Sequence, residues 1–160
     1  MGRTQGQSRM AGNTLSIYFG TETGNSRWVA EAIANMSAAR SVPATVQDLV
    51  NISAEQLSRD SDPALVIIST WNRGKPPFFA RRFYADIEAG KTAMNTLRFA
   101  VIALGDEHYE HFCECGRNLD ILLEKLGGKR WMPRIELGTD FRSNLAQYEQ
   151  QLWKHFDKLS

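Results

Sequence analysis

The chain is expected to fold as a doubly wound α/β domain, a parallel sheet with helices on both faces. Two observations predict this. Short apolar runs alternate with amphipathic segments along the chain, the pattern of strand, crossover helix, strand. Two of those runs, LVIIST and FAVIAL, are apolar throughout, as central strands covered on both faces must be. In order, the strands are predicted at Leu15–Phe19, Ala44–Leu49, Ala64–Thr70 and Leu97–Leu104, with a weaker fifth across Trp131–Leu137. Helical spacing predicts Ser26–Ala38, Phe78–Ile87, Tyr109–Leu126 and Arg142–Leu159, with a short helix at Ala54–Arg59.

Composition narrows the function classes. With 160 residues, 42% of them hydrophobic, the chain can bury one sizeable core. A single domain over residues 15–160 is expected. Residues 1–14 are polar, carry Arg3 and Arg9 without an acid, and read as a disordered tail. They form neither a signal peptide nor a membrane helix. The whole chain holds 19 basic and 18 acidic residues with no long block of one sign, so wrapping nucleic acid or lying on an anionic membrane is not expected. Cys113 and Cys115 form a CxC pair rather than a disulfide framework, which fits a reducing compartment, the cytoplasm.

In a doubly wound sheet, ligands bind beyond the carboxyl ends of the strands. After the first strand comes Thr21-Glu22-Thr23-Gly24-Asn25-Ser26, which offers three hydroxyls, a permissive glycine and the unpartnered N–H groups of a helix start. It lacks the spacing and lysine of a nucleoside triphosphate loop and suits a phosphate monoester. An ordinary helix cap is the other reading of the same residues. After the third strand, Trp71 stands before a tight loop, Asn72-Arg73-Gly74-Lys75, either as a stacking platform for a flat ring or as an indole folded over the sheet edge. After the fourth, Leu104, Gly105 and Asp106 make a turn and Tyr109 brings a second aromatic to the same edge. Two flat side chains facing a phosphate nest match the shape of FMN.

The segments TETGNSRWVAEAI, LVIISTWNRGKPP and ALGDEHYEHFCECGRNLDILLEKLGG, in this order, resemble the flavodoxin family. The likeness is greatest to its short form, found in MioC-type proteins and as the FMN module of sulfite reductase flavoprotein and related diflavin reductases. The resemblance implies five strands in the order 2-1-3-4-5 and a monomer that carries electrons. Its donor would be an NAD(P)H-dependent flavoprotein reductase and its acceptor an unidentified enzyme. FMN phosphate would lie on Thr21 to Ser26 and the ring between Trp71 and Tyr109. Thr70, Asn72, Arg73, Gly74, Leu104, Gly105, Asp106, Phe112 and Cys113 would surround the ring. No acid-base catalytic residue and no metal are expected. An FMN-dependent quinone reductase and a docking module without cofactor are the alternatives.

Two departures stand out. Asn72 occupies the place where such carriers commonly have a glycine, which would stiffen a redox-linked turn of that peptide. Arg73 and Lys75 stand where acids are usual. His108, His111, Cys113 and Cys115 place four possible metal ligands close together, but a helix from Tyr109 would scatter them over different faces.

Overall fold

The structure, a computed structural model, describes residues 13–159. The tail expected at 1–14 lies outside those residues except for Asn13 and Thr14. In chain order the elements are β1 (Leu15–Gly20), α1 (Asn25–Ala39), β2 (Ala44–Asp48), α2 (Ala54–Ser58), β3 (Ala64–Ser69) and α3 (Arg81–Glu88). They continue with β4 (Arg98–Leu104), α4 (Glu114–Lys125), β5 (Lys129–Arg130), β6 (Ile135–Leu137), α5 (Phe141–Asn144) and α6 (Glu149–Asp157).

Every strand pair is parallel, and the sheet runs β2-β1-β3-β4-β5, as expected from the resemblance. Strand alternation divides the core in two. Leu15, Ile17, Leu65, Ile67 and Ile102 point to one face and meet Val29 and Ile33 of α1 and Leu152, Trp153 and Phe156 of α6. Tyr18, Val66, Ile68, Phe99 and Val101 point to the other and meet Leu57, Phe83, Ile87, Leu119 and Leu123. All of β3 except Ser69 is buried, whereas Thr45, Val46 and Gln47 of the edge strand β2 are exposed.

Three elements differ from expectation. The fifth strand is two short ones, β5 and β6, both paired with β4, so the sheet has six strands rather than five. Pro133 interrupts the run because it has no N–H to donate to a ladder. The Trp131 indole turns inward there and donates to the Ala64 carbonyl at 3.1 Å. The helix expected from Tyr109 starts at Glu114, after a series of turns. The last helix is interrupted by a 3-10 turn at Leu145–Tyr148 that keeps both Phe141 and Leu145 buried.

Charge secures the strand break. Asp120 of α4 is 3% exposed and accepts from Arg130 Nε at 2.8 Å and Arg134 Nη1 at 2.6 Å, one from each side of the gap. Removing that carboxylate leaves Arg130 with Glu124 and the residue-120 carbonyl, and Arg134 with Glu136. Asp120→Ala is expected to lower unfolding free energy by about 2 kcal/mol in urea titration. A loss below about 0.5 kcal/mol would contradict the role given to this cluster.

Candidate functional site

The strand ladders bring four loops to one edge. β1 ends at Gly20, opposite Ile68 of β3; Ser69 pairs with Leu104 of β4, and Leu104 pairs with Leu137 of β6. The first loop enters α1 through Gly24, whose φ of +97° is a left-handed conformation that glycine adopts without steric cost. The Thr21 hydroxyl accepts the Gly24 N–H at 2.8 Å, so its own proton stays available to an anion. Thr23 and Asn25 are exposed at the helix start, where the first N–H groups of α1 have no intrahelical partner and the helix dipole favours negative charge. Ser26 is fully buried and shares a hydrogen bond of 2.6 Å with Ser69, which anchors α1 to the end of β3. The Glu22 carboxylate accepts the Phe78 N–H at 2.6 Å, tying the first loop to the second.

A cavity of about 230 Å³ lies against this helix start, lined among others by Thr23, Asn25, Ser69, Gly105 and Thr139. It adjoins a wider cleft of about 740 Å³ between the second and third loops. Thr70, Trp71 and Asp106 line both. The wide cleft has Trp71 and Arg73 on one side and Tyr109, His111 and Phe112 on the other. Trp71 is 45% and Tyr109 71% exposed, so both rings have free area for a ligand. Trp71 is held by a two-way backbone bridge to Lys75, at 2.7 and 2.9 Å.

Several expected ring-edge groups have structural duties. The Thr70 N–H donates to the Leu104 carbonyl, and its hydroxyl accepts the Cys115 N–H of α4 at 2.9 Å. Gly105 donates to the Leu137 carbonyl, and a Cβ there would lie 2.6 Å from the Cys113 nitrogen. The left-handed residues of the second loop are Arg73 (φ +57°) and Gly74 (φ +83°). A side chain on Gly74 would collide with the Glu114 carboxylate.

The Cys113 thiol faces inward, away from the cleft: it donates to the Ala103 carbonyl at 3.3 Å, and burial pushes its pKa up to about 12. Cys115 packs in the core beside Leu119, and burial raises its pKa as well. The two thiols and the two histidines therefore do not converge. Asp106, Glu107 and His108 do lie together, but they are engaged with the protein. The Asp106 carboxylate accepts from the His108 backbone at 2.9 Å and meets its ring at 2.7 Å, and the hydrogen bonds hold the Asp106 pKa below its usual value. Glu107 accepts the Thr139 N–H at 2.9 Å, which lowers its pKa too.

A sequence model of the family described as Flavodoxin matches residues 17–153. The chain belongs to the flavodoxin family. It is 31% identical over 141 residues to the sulfite reductase [NADPH] flavoprotein alpha-component of Bacillus subtilis, covering 88% of this chain and 23% of that protein. A Shewanella protein of the same description is 31% identical over 153 residues, covering 94% of this chain and 24% of its own length. The chain thus spans about a quarter of these relatives. Among solved structures, a Pseudomonas aeruginosa flavodoxin variant superposes with a TM-score of 0.75 at 23% identity, covering 91% of this chain and 98% of that one. A Streptococcus pneumonia TIGR4 flavodoxin gives 0.71 at 21% identity, covering 88% and 98%.

Membership of this family makes the chain an FMN-binding electron-transfer protein. The flavodoxin cleft has the shape that cofactor needs: a small cavity at the start of α1, with no cation among its described lining residues, adjoins a wider one with two accessible aromatic rings. Sequence reasoning missed Ser69, Gly138, Thr139 and Phe141 beside the nest and Glu110 and His111 beside the wide cleft. Gly138 follows β6 directly, so treating the fifth strand's end like the other strand ends would have found it.

At the rim, His111 Nδ1 lies 2.6 Å from Glu114 Oε1, and this hydrogen bond raises the His111 pKa above 6.5. A raised histidine pKa adds stability that is full below the unfolded value and lost as pH rises through the folded one. NMR titration is expected to place the His111 midpoint above 6.5 in the native protein and lower in Glu114→Gln. Equal midpoints would contradict the pairing.

Proposed function

We propose that the cleft holds FMN with its phosphate at the start of α1 and its ring between Trp71 and Tyr109. On this reading the protein passes electrons from an NAD(P)H-dependent flavoprotein reductase to an acceptor enzyme. One observation carries the reading: the small cavity at the helix start and the wide aromatic cleft share Thr70, Trp71 and Asp106, giving one continuous space for a phosphate joined to a flat ring. The bound flavin would supply a store of two electrons that can be taken up and released singly.

Hydroxyl protons of Thr21 and Thr23, with the N–H groups of Asn25 and Ser26, orient the phosphate, the Gly24 N–H being donated to the Thr21 hydroxyl. Ser26 contributes through its backbone, because its hydroxyl is joined to Ser69. Glu22 closes the loop through Phe78 rather than touching the anion. Trp71 and Tyr109 cover the ring faces, while Asn72, Gly74, Leu104, Gly105, Asp106 and Phe112 border its edge. Cys113 contributes only backbone to that border. Arg73 and Lys75 stand beside the ring and favour negative charge added to it. A carrier without catalytic acid-base groups, working as a monomer in the cytoplasm, is the form this supports. Among the described residues no helix is long and apolar enough to cross a membrane.

Purified protein is expected to be yellow, and to bleach on mixing with NADPH only when a separate reductase is added. Rapid direct bleaching would instead make it a reductase in its own right. Thr23→Val is expected to weaken FMN binding roughly 5- to 10-fold in fluorescence titration by removing one hydrogen bond to an anion, with an unchanged circular dichroism spectrum. Unaltered affinity would move the phosphate elsewhere. In a spectroelectrochemical titration, Arg73→Glu with Lys75→Glu should lower the flavin potential; a potential that stays or rises would remove these cations from the ring's environment.

A further inference from the structure

The two lips of the cleft differ in charge. From Trp71 to Ala85 the chain carries Arg73, Lys75, Arg81 and Arg82 and no acid, and all four cations are exposed. Among the described residues none of the four forms a salt bridge. The facing lip is acidic in sequence, but its charges are largely engaged: Asp106 with His108, Glu107 with the Thr139 N–H, and Glu114 with His111.

Within the basic lip sit large apolar groups open to solvent. Trp71, Phe78 and Phe79 are 45%, 54% and 48% exposed. Phe78 and Phe79 meet edge to face with centroids 5.2 Å apart, and the Arg81 guanidinium lies 4.9 Å over the Phe78 ring. Burying these rings in the chain's own core would have been the favourable outcome for an isolated domain. Neighbouring exposed aromatics ringed by arginine and lysine have instead the composition of a protein docking centre.

We propose that the face formed by Trp71, Arg73, Lys75, Phe78, Phe79, Arg81 and Arg82 docks a protein partner that presents an acidic surface around an apolar recess. Charge complementarity selects this occupant. The face also runs directly into the cleft, because Trp71 and Arg73 belong to both. Only the placement of the partner beside the cofactor rests on the FMN reading; the docking itself does not.

The test uses the full chain with FMN added and two probe proteins of opposite charge, acidic cytochrome b5 and basic cytochrome c, with binding followed by fluorescence anisotropy. The acidic probe is expected to bind at least ~10-fold more tightly than the basic one at low salt, and to lose roughly tenfold between about 0.02 and 0.2 M salt. Arg81→Glu with Arg82→Glu should abolish that preference. Phe78→Ser with Phe79→Ser should weaken binding while leaving the salt dependence in place. FMN affinity, measured on the same samples, should not change in either variant. Equal binding of the two probes by protein that does take up FMN overturns the docking proposal. Probe binding of the expected kind by protein that refuses FMN overturns the cofactor reading and leaves docking intact. Binding to phosphatidylserine vesicles or single-stranded DNA without preference for the acidic protein also overturns it.

Discussion

The parallel ladder joining β1, β3, β4 and β6 is the constraint on which the site depends. It sets Gly20 one residue behind Ser69, and aligns Ser69, Leu104 and Leu137. Four chain exits therefore reach one edge at nearly the same height, and everything chemically distinctive lies within a few residues of them. The ladder holds because both faces of β3 and β4 are covered, and their apolar positions would otherwise meet water. A register slip of one residue would exchange the two core faces and misalign the exits together.

Hydrogen bonds between the exits then reduce the freedom of the loops. Ser26 to Ser69 fixes the start of α1 on β3, Glu22 to Phe78 fixes the first loop on the second, and Thr70 to Cys115 fixes the second on α4. Glu107 and Gly105 bind the third loop to the exit of β6. Polar groups that look like ligand contacts in sequence are thus partly occupied in holding one loop to another. A site arranged this way has less ordering entropy to lose when a ligand enters. Trp71 and Tyr109 remain exposed in the same framework, so the rigid part of the site lies around the helix start and the open part around the rings.

Much of this was readable from residues alone, and the misses have local causes. Long apolar runs such as Ala64–Ser69 declare themselves because burial on both faces leaves no polar position. The fifth strand was blurred because Trp131, Met132 and Ile135 are buried on both sides of Pro133, although backbone pairing stops between them. Helical spacing around Tyr109 misled because the Asp106 side chain bends the chain locally, and Cys113 takes a left-handed conformation before α4 begins. Hydroxyl-rich spacing marked the start of α1, but sequence could not tell that Thr21 and Ser26 would spend hydrogen bonds on Gly24 and Ser69. Likewise, cysteine spacing says nothing of orientation, and both thiols point into the interior.

In the proposed site a phosphate monoester is bound by hydroxyls and helix N–H groups rather than by a cation, with the ring held separately by aromatic contact. FMN and riboflavin differ only in that phosphate, so titrating cofactor-stripped protein with each compares the two parts of the site. Quenching of flavin fluorescence is predicted for both, with FMN bound at least ~100-fold more tightly, equivalent to ~2.7 kcal/mol or more from several charge-assisted hydrogen bonds. Equal affinities for FMN and riboflavin, or no uptake of FMN, would exclude a phosphate site at the start of α1.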